Sequence, residues 1–422
     1  MRNNKWDESI SLLNSKIKTT NKRKRKGKIK FKNYSFLFPV LLFSCFFIVI
    51  IIYLLYKYKL LVLGNNASKI NIISNIHLKN TLLKRVNDTY SKNEFVNINE
   101  IESTIPGGRP WIKGQSKENE INIGTGIDPN FTLHAMMTFS SVIDSQKKET
   151  KLRIHIGVVN EFPVENMIKI YTLRERIRND VEFNFYNAKR VETELKGVHT
   201  KGNGVMAKLV LPILLPSDVE RIIILDTGDL IALRDLSEMY NWDMKNKTLC
   251  GVVDPCVMNY GSISKKTLNI YINGGNYLID VQKFKNDNIY EKSVENRNIY
   301  KTSVTGLQNF LNDVAYGKIG YLPMKYGMFS PFSNDKKSDT PPYITDYYFI
   351  RRVMHHDIYP FLPNNRKSWD MQHYNPVILH AWNGKWADGD GITIHRRIAQ
   401  YYIKYAGIWD EMCEKHPGYC KK

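Results

Sequence analysis

The sequence predicts an α/β domain, a Rossmann-like sheet flanked by helices, carried behind one membrane span and a stem. Three observations lead there. From residue 118 onward, short β-type runs alternate with helical periodicity, the pattern of a sheet covered on both faces. Residues 34–56 run for 23 positions without a charge. Residues 57–117 between them are rich in Asn, Lys, Ser and Ile and close on Pro106-Gly107-Gly108 and Pro110, a composition that suits a connecting stem.

The chain has 422 residues and 43% apolar content, room for an anchor and one large catalytic domain. Its net charge of +20 suggests a nucleic-acid binder until the charge is located. Residues 1–33 hold twelve Lys/Arg against two acids, so half of the excess lies in an N-terminal tail, with seven bases from Lys22 to Lys30. Directly after it comes YSFLFPVLLFSCFFIVIIIYLLY, Tyr34 to Tyr56, long enough to cross roughly 30 Å of hydrocarbon as a helix. Tyr34, Tyr53 and Tyr56 fit an interfacial belt, and Pro39 lies in the first turns, where it costs little. A cleaved signal peptide fits less well, because the apolar run is too long and begins too late. Twelve bases precede the span and only Lys57 and Lys59 follow it closely, so the tail is expected in the cytosol and the bulk in the lumen, a single-pass type II arrangement. The basic run is then an orientation and anionic-lipid signal, and nucleic acid is not expected as a partner.

In the stem, Asn66-Ala-Ser68 and Asn87-Asp-Thr89 are glycosylation sequons, as is Asn246-Lys-Thr248 further on. Of five cysteines, Cys45 lies in the span; the four beyond it allow three pairings, of which Cys250–Cys256 and Cys413–Cys420 are the close ones. Within the domain, expected at 118–400 with a C-terminal extension at 401–422, Ile121 to Thr125 is a first strand and Phe131 to Val142 a helix. Leu152 to Val159 is a second strand, Met167 to Ile177 a second helix, and Lys208 to Leu215 a helix leading into a strand at Ile222 to Leu225.

The stretch Arg221 to Tyr240 organises the rest. Its apolar run Ile222 to Leu225 stops at Asp226-Thr227-Gly228-Asp229, two carboxylates where a buried strand ends. Open α/β sheets bind ligands outside the carboxyl ends of their strands, and paired acids suit a hard divalent cation. A polar turn with Asp229 capping the next helix is an equal reading of the same residues.

Several ordered motifs between about Asn119 and His395 resemble the retaining glycosyltransferases of family 8, a group that includes glycogenin, bacterial galactosyltransferases and xylosyltransferases. Leu225-Asp-Thr-Gly-Asp-Leu230 is similar to the family's DxD segment, and Ile121 to Phe131, INIGTGIDPNF, to its first strand and loop. Lys208-Leu209 stands where the family usually has Arg-Leu. Tyr271 to Gly275, YINGG, resembles the FN(S/A)G segment, although a glycine turn between strands is its bland alternative. Leu307 to Asn312, LQNFLN, resembles DQDxLN and is followed by Tyr321-Leu-Pro323; Val377 to Trp386, VILHAWNGKW, resembles IHFxGxxKPW.

The resemblance implies a GT-A type mixed sheet, a UDP-sugar donor and a divalent cation, Mn²⁺ or Mg²⁺. It assigns Asp128 and Asn130 to the uridine and Lys208 to the nucleotide. Asp226, Asp229 and His380 become the metal ligands, Lys385 contacts the diphosphate, and Asp226 and Gly384 also belong to the donor site. Asn273 contacts the donor sugar, and Gln308 stands beside the anomeric carbon. The departures are specific. Aligned without a gap, the second acid of DxD falls on Gly228, and the carboxylate arrives one residue late at Asp229. Both acids of DQDxLN are replaced, by Leu307 and Asn309. The spacing from His380 to Lys385 is one residue short, and the proline is missing. Residues 328–375 fall outside the pattern, and their tyrosines, prolines and tryptophan suit an acceptor-binding lobe.

The expected function is Mn-dependent, retaining transfer of a sugar from a UDP-sugar to a glycan or glycoprotein acceptor, in the Golgi membrane with the catalytic domain lumenal. The rival, motivated by Gly228, Leu307 and Asn309, is a catalytically silent member that binds a glycan or a partner protein.

Overall fold

A computed structural model describes residues 77–93, 95–106, 119–198, 203–254, 271–300, 306–329, 376–380 and 393–420. The 34–56 span, the basic tail, Cys256, Gly384, Lys385 and the 330–375 part of the expected acceptor lobe lie outside these residues. Among the described residues, no helix is long and apolar enough to cross a membrane.

The strands are β1 (Phe95–Asn97), β2 (Glu120–Ile127), β3 (Lys151–Val158), β4 (Glu182–Asn187), β5 (Arg221–Leu225), β6 (Leu230–Ala232), β7 (Leu249–Val253), β8 (Ile272–Asp280), β9 (Ile319–Leu322), β10 (Met328–Phe329) and β11 (Ile378–His380). Eight of them form one sheet in the order β1-β4-β3-β2-β5-β8-β7-β9, and three form a smaller sheet, β10-β11-β6. The block β4-β3-β2-β5 is parallel, β8 runs antiparallel to both of its neighbours, and β1 closes one edge antiparallel to β4. This is the mixed α/β sheet of the GT-A type.

Helices cover both faces, and the strand residues alternate between two cores as a pleat requires. Ile223 and Leu225 of β5 join the core beneath helix α2 (Thr132–Ser145), while Ile222 and Ile224 join the core under helix α4 (Asn203–Leu214) and helix α5 (Gly306–Val314). Every apolar residue of the β5 run is therefore buried on one face or the other, which is why it reads as a continuous hydrophobic stretch.

Several boundaries differ from expectation. The stem is expected to run to residue 117, yet residues 77–90 form a helix, α1, and Leu82, Val86, Val96, Ile98 and Ile105 are all buried in the domain core. Their apolar spacing gives this segment one face to bury, and β1 extends the sheet from it. The expected border at residue 400 falls inside helix α6 (Thr393–Tyr405), whose Ala399, Tyr402 and Ile403 pack into the same core as α2. The second helix is α3 (Val164–Tyr171), earlier than expected because the chain turns helical directly after Pro163. Strand β4 was hidden by its polar residues: Glu182 and Asn184 are buried, Glu182 against the guanidinium of Arg153. Cys413 and Cys420 form a disulfide as expected. Cys250 does not pair: it is a free thiol buried in β7, and burial pushes its pKa up to about 12.

Candidate functional site

Strand β2 has β3 on one side and β5 on the other, so the chain order reverses at the β2–β5 boundary. The crevice beyond the carboxyl ends of such a pair is where open α/β sheets take ligands. The residues that leave these two strands are Asp128 and Asp226, which places both at that crevice.

Asp128 is buried, and its Oδ1 accepts a hydrogen bond from the Asn130 backbone N–H at 3.0 Å, so the loop is an Asx turn that leads into α2. Burial raises the Asp128 pKa, and the backbone donors Asn130 and Phe131 work against that rise. Asn130 itself is exposed. Helix α4 starts against this loop, since a Cβ placed on Gly204 would stand 2.7 Å from the Asp128 backbone nitrogen. One turn further on, α4 delivers Lys208. Its side chain is 1% exposed, and its ammonium donates to the Asp226 carboxylate and, at 3.1 Å, to the Gly274 carbonyl.

Asp226 is held by its backbone as well, donating to the Gly275 carbonyl at 2.7 Å. From there the turn Thr227-Gly228-Asp229 carries the chain out of the large sheet and into β6 of the small one. Gly228 adopts φ +86°, a left-handed conformation that glycine enters freely. The turn is fastened to α2, where the Thr138 hydroxyl accepts from Gly228 N–H and donates to the Leu230 carbonyl, both at 3.0 Å. Strand β6 pairs antiparallel with β11, and Leu230 lies opposite His380.

That register explains how residues so far apart in sequence converge. A Cβ placed on Gly275 would meet Asn273 Oδ1 and His380 Cε1, each at 2.8 Å, and Asp226 Oδ2 at 3.1 Å. Asp226, Asn273 and His380 therefore crowd one point above a glycine that has no side chain to separate them. His380 is buried and its pKa is lowered to about 4, by desolvation first; Lys208 adds to that effect and Asp226 opposes it. The imidazole is accordingly neutral at physiological pH.

The YINGG segment is strand, not turn: β8 runs through it from Ile272. Asn273 Oδ1 accepts from Gly275 N–H at 2.7 Å, and Asn273 Nδ2 donates to Asp254 Oδ2 at 3.1 Å. Helix α5 lies across β8. Its Asn312 side chain bonds both backbone groups of Ile272, at 2.7 and 2.9 Å, and its Asn309 accepts from the Tyr271 hydroxyl at 2.5 Å. Gln308 on the same helix accepts from Gly274 N–H at 2.9 Å and donates to Asp254 Oδ2 at 2.6 Å. Leu307, which stands where the family has an acid, is buried in the core shared with α4.

Of the expected site residues, the structure brings together Lys208, Asp226, Asn273, Gln308 and His380 and places Asp128 and Asn130 on the β2 loop of the same crevice. The expected Asp226–Asp229–His380 ligand set is corrected: among the described residues, no three His, Cys, Asp or Glu side chains group closely enough to hold a metal ion. The physical reason lies in the turn. Gly228 occupies the family's second acidic position, the residue that arrives opposite His380 is Leu230 and not Asp229, and Lys208 already engages Asp226. The His134 side chain also closes the space, its Cβ standing 2.9 Å and its ring Cδ2 3.0 Å from where a Gly228 Cβ would be. These residues do not fit a three-ligand cation site.

Asp254 and Asn312 were not expected. Asp254 had a legible signal, the same one that marked Asp226: an apolar run, Cys250 to Val253, ending in an acid. Asn312 closes the LQNFLN segment, but its work, bonding a strand that is remote in sequence, has no mark of its own there.

Comparison with known proteins agrees with this fold. The family model described as Glycosyl transferase family 8 matches residues 122–350. A protein of Haemophilus influenzae described as "Putative glycosyltransferase" is 28% identical over 123 residues, which span 28% of this chain and only 37% of that protein. Among solved structures, the galactosyltransferase LgtC in complex with donor and acceptor sugar analogs aligns at a TM-score of 0.52 and 17% identity, over 70% of this chain and 99% of LgtC. The bifunctional glycosyltransferase WbbM aligns at 0.53 and 14% identity, over 73% of this chain and 53% of that one. At these identities the likeness establishes the fold.

Proposed function

Because the chain belongs to glycosyl transferase family 8 and is thereby a glycosyltransferase, we propose that it moves a sugar from a UDP-sugar to a glycan or glycoprotein acceptor with retention of anomeric configuration. The observation that carries this reading is the convergence of Asp226, Asn273 and His380 around Gly275, with Lys208 beneath them, at the crevice between β2 and β5.

In the proposed reaction the acceptor hydroxyl oxygen bonds to the anomeric carbon as the bond from that carbon to the UDP phosphate oxygen breaks. The departing phosphate takes the hydroxyl proton. Asp128 and Asn130 hold the uridine. Lys208 uses two of its three N–H donors on Asp226 and Gly274, which leaves the third for the anionic donor. Gln308 and Asn273, their amides fixed by protein bonds, face the sugar and the anomeric carbon. The matched motifs supply no pair of carboxylates spaced for a covalent glycosyl-enzyme, so front-face displacement is the better chemical fit.

A second reading, a silent member that binds without turnover, is favoured by Gly228 and Leu307, which lack the family's acids. The test is UDP release by the purified full chain in detergent with a panel of UDP-sugars and glycan acceptors, alongside calorimetric titration of UDP. Turnover lost in Asp226→Ala and His380→Ala supports the transferase; UDP binding without turnover on any donor supports the silent form. We further propose a type II Golgi membrane protein with a lumenal domain, on the basic tail and the uncharged 34–56 run. Protease protection of sealed microsomes tests the topology.

A further inference from the structure

We propose that Asp254 is a positioning residue that, through a single carboxylate oxygen, fixes the two donor-site amides, Gln308 and Asn273, and polarises them toward the reacting centre. The inference rests on the proposed transfer of a sugar at this site and deepens it.

Asp254 follows directly on β7, and its backbone N–H donates to the Tyr271 carbonyl at 3.1 Å, which seats it beside the first residues of β8. It is fully buried. Its Oδ2 accepts from Gln308 Nε2 at 2.6 Å and from Asn273 Nδ2 at 3.1 Å. The opposite ends of the same two amides meet consecutive backbone donors, Gly274 N–H on Gln308 Oε1 at 2.9 Å and Gly275 N–H on Asn273 Oδ1 at 2.7 Å. An amide flipped end for end would set its oxygen against the carboxylate and its NH₂ against a backbone N–H, losing both bonds. A carboxylate only accepts and a backbone N–H only donates, so the orientation of each side chain has one solution.

The chemical consequence concerns charge. As the bond to the phosphate breaks, the anomeric carbon becomes electron-deficient. A carboxylate that accepts from an amide N–H makes a charge-assisted bond and draws the amide into its charge-separated form, with more negative charge on the oxygen. That oxygen is the end of Gln308 and Asn273 that β8 holds against Gly274 and Gly275. Asp254 therefore adds negative charge to the two amide oxygens of the proposed donor site through its bonds to their NH₂ groups. Burial strengthens the effect, since little solvent screens it.

The test is steady-state kinetics of UDP release by the full chain carrying Asp254→Asn, Gln308→Ala and both together. Asn keeps one oxygen able to accept from both amides, removes the charge and turns the other carboxylate oxygen into an NH₂ donor. Expected are a fall in kcat of roughly 10- to 100-fold in Asp254→Asn with KM for the UDP-sugar within about threefold of wild type, and a double variant that loses less than the product of the two single losses, because only the Asn273 route remains for Asp254 once Gln308 is gone. Wild-type kcat in Asp254→Asn, or losses that multiply in the double variant, would overturn the proposal. A wild-type chain without turnover sinks the transferase reading instead, and the clamp is then judged by urea unfolding of the same variants. Shifts of the unfolding equilibrium that overlap in the double variant keep the clamp, and independent shifts remove it.

Discussion

Replacing Asp226 by Asn separates what this residue does for folding from what it does for the donor. Lys208 is 1% exposed and its ammonium has two described partners, Asp226 and the Gly274 carbonyl. Asp226→Asn removes the countercharge and leaves a buried cation, a change that costs about 3–5 kcal/mol. Lys208→Met removes the other partner, but Asp226 is 27% exposed and water can solvate it, so about 1–2 kcal/mol is expected. The double variant Asp226→Asn/Lys208→Met buries no unpaired charge and should recover most of the stability lost in Asp226→Asn, with a coupling of about 2–3 kcal/mol. UDP affinity should not recover with it, because both donor-site charges are gone. The assay pairs urea denaturation followed by tryptophan fluorescence with calorimetric titration of UDP, on the full chain in detergent. An Asp226→Asn variant that loses less than about 1 kcal/mol would refute the buried ion pair. A double variant that regains UDP binding would refute its part in the donor site.

The remaining predictions use the same architecture. Gly275→Ala puts a methyl group 2.8 Å from both Asn273 Oδ1 and His380 Cε1, so it should abolish UDP binding while circular dichroism still reports a folded sheet; unchanged UDP affinity would show that the three side chains do not act together. Burial lowers the pKa of His380 and of His134 to about 4 each and that of His155 well below 6.5, so the unfolded chain takes up three protons that the folded chain does not. Stability is then fully present above pH 6.5 and falls as pH drops from there toward 4, at about 4 kcal/mol per unit; urea midpoints measured across that window check the sign and the slope. With Asp226 and His380 as the cation-facing donors among the described residues, replacing EDTA by millimolar MnCl₂ should change UDP affinity by less than about tenfold. A larger gain would show that a third donor joins them when nucleotide binds.

How much of this was readable in the sequence depended on whether a residue's work is local. The strand Ile222 to Leu225 and the acid that ends it were legible, because burial on both faces leaves a continuous apolar run and a strand exit is a fixed place in the fold. Strand β4 was not, since EFNFYN buries Glu182 and Asn184 against partners on other strands, and only the tertiary structure makes those polar residues tolerable. The segment 77–105 carried its apolar spacing in plain view, yet its Asn- and Lys-rich composition pointed to a stem, and composition proved the weaker signal. Asn273 and Gln308 were singled out by resemblance alone. Nothing in YINGG or LQNFLN announces that both amides end on Asp254, because those bonds cross 19 and 54 residues of chain.

The fate of Asp229 shows why motif spacing and site geometry can part. In D-T-G-D, moving the second acid one position along leaves the composition of the turn intact, and by composition alone Asp229 would serve as well as an acid at 228. The turn, however, ends in a register: β6 must pair with β11 so that Leu230 faces His380 and Ile231 faces Leu379. Sliding the turn by one residue to present Asp229 would slide that register too. Leu230, Ile231 and Ala232, all buried now, would each exchange faces, at a cost far above that of a weakened ligand set. The small sheet therefore sets which carboxylate meets the imidazole, and it selects Asp226. What the site keeps under that constraint is one oxygen of Asp226 beside a neutral His380, an ammonium from α4 on the other oxygen, and two amides braced by Asp254. In the proposed transfer such a site meets the anionic leaving group with fixed protein charge and dipoles, and substitution of Lys208 and Asp254 tests that role.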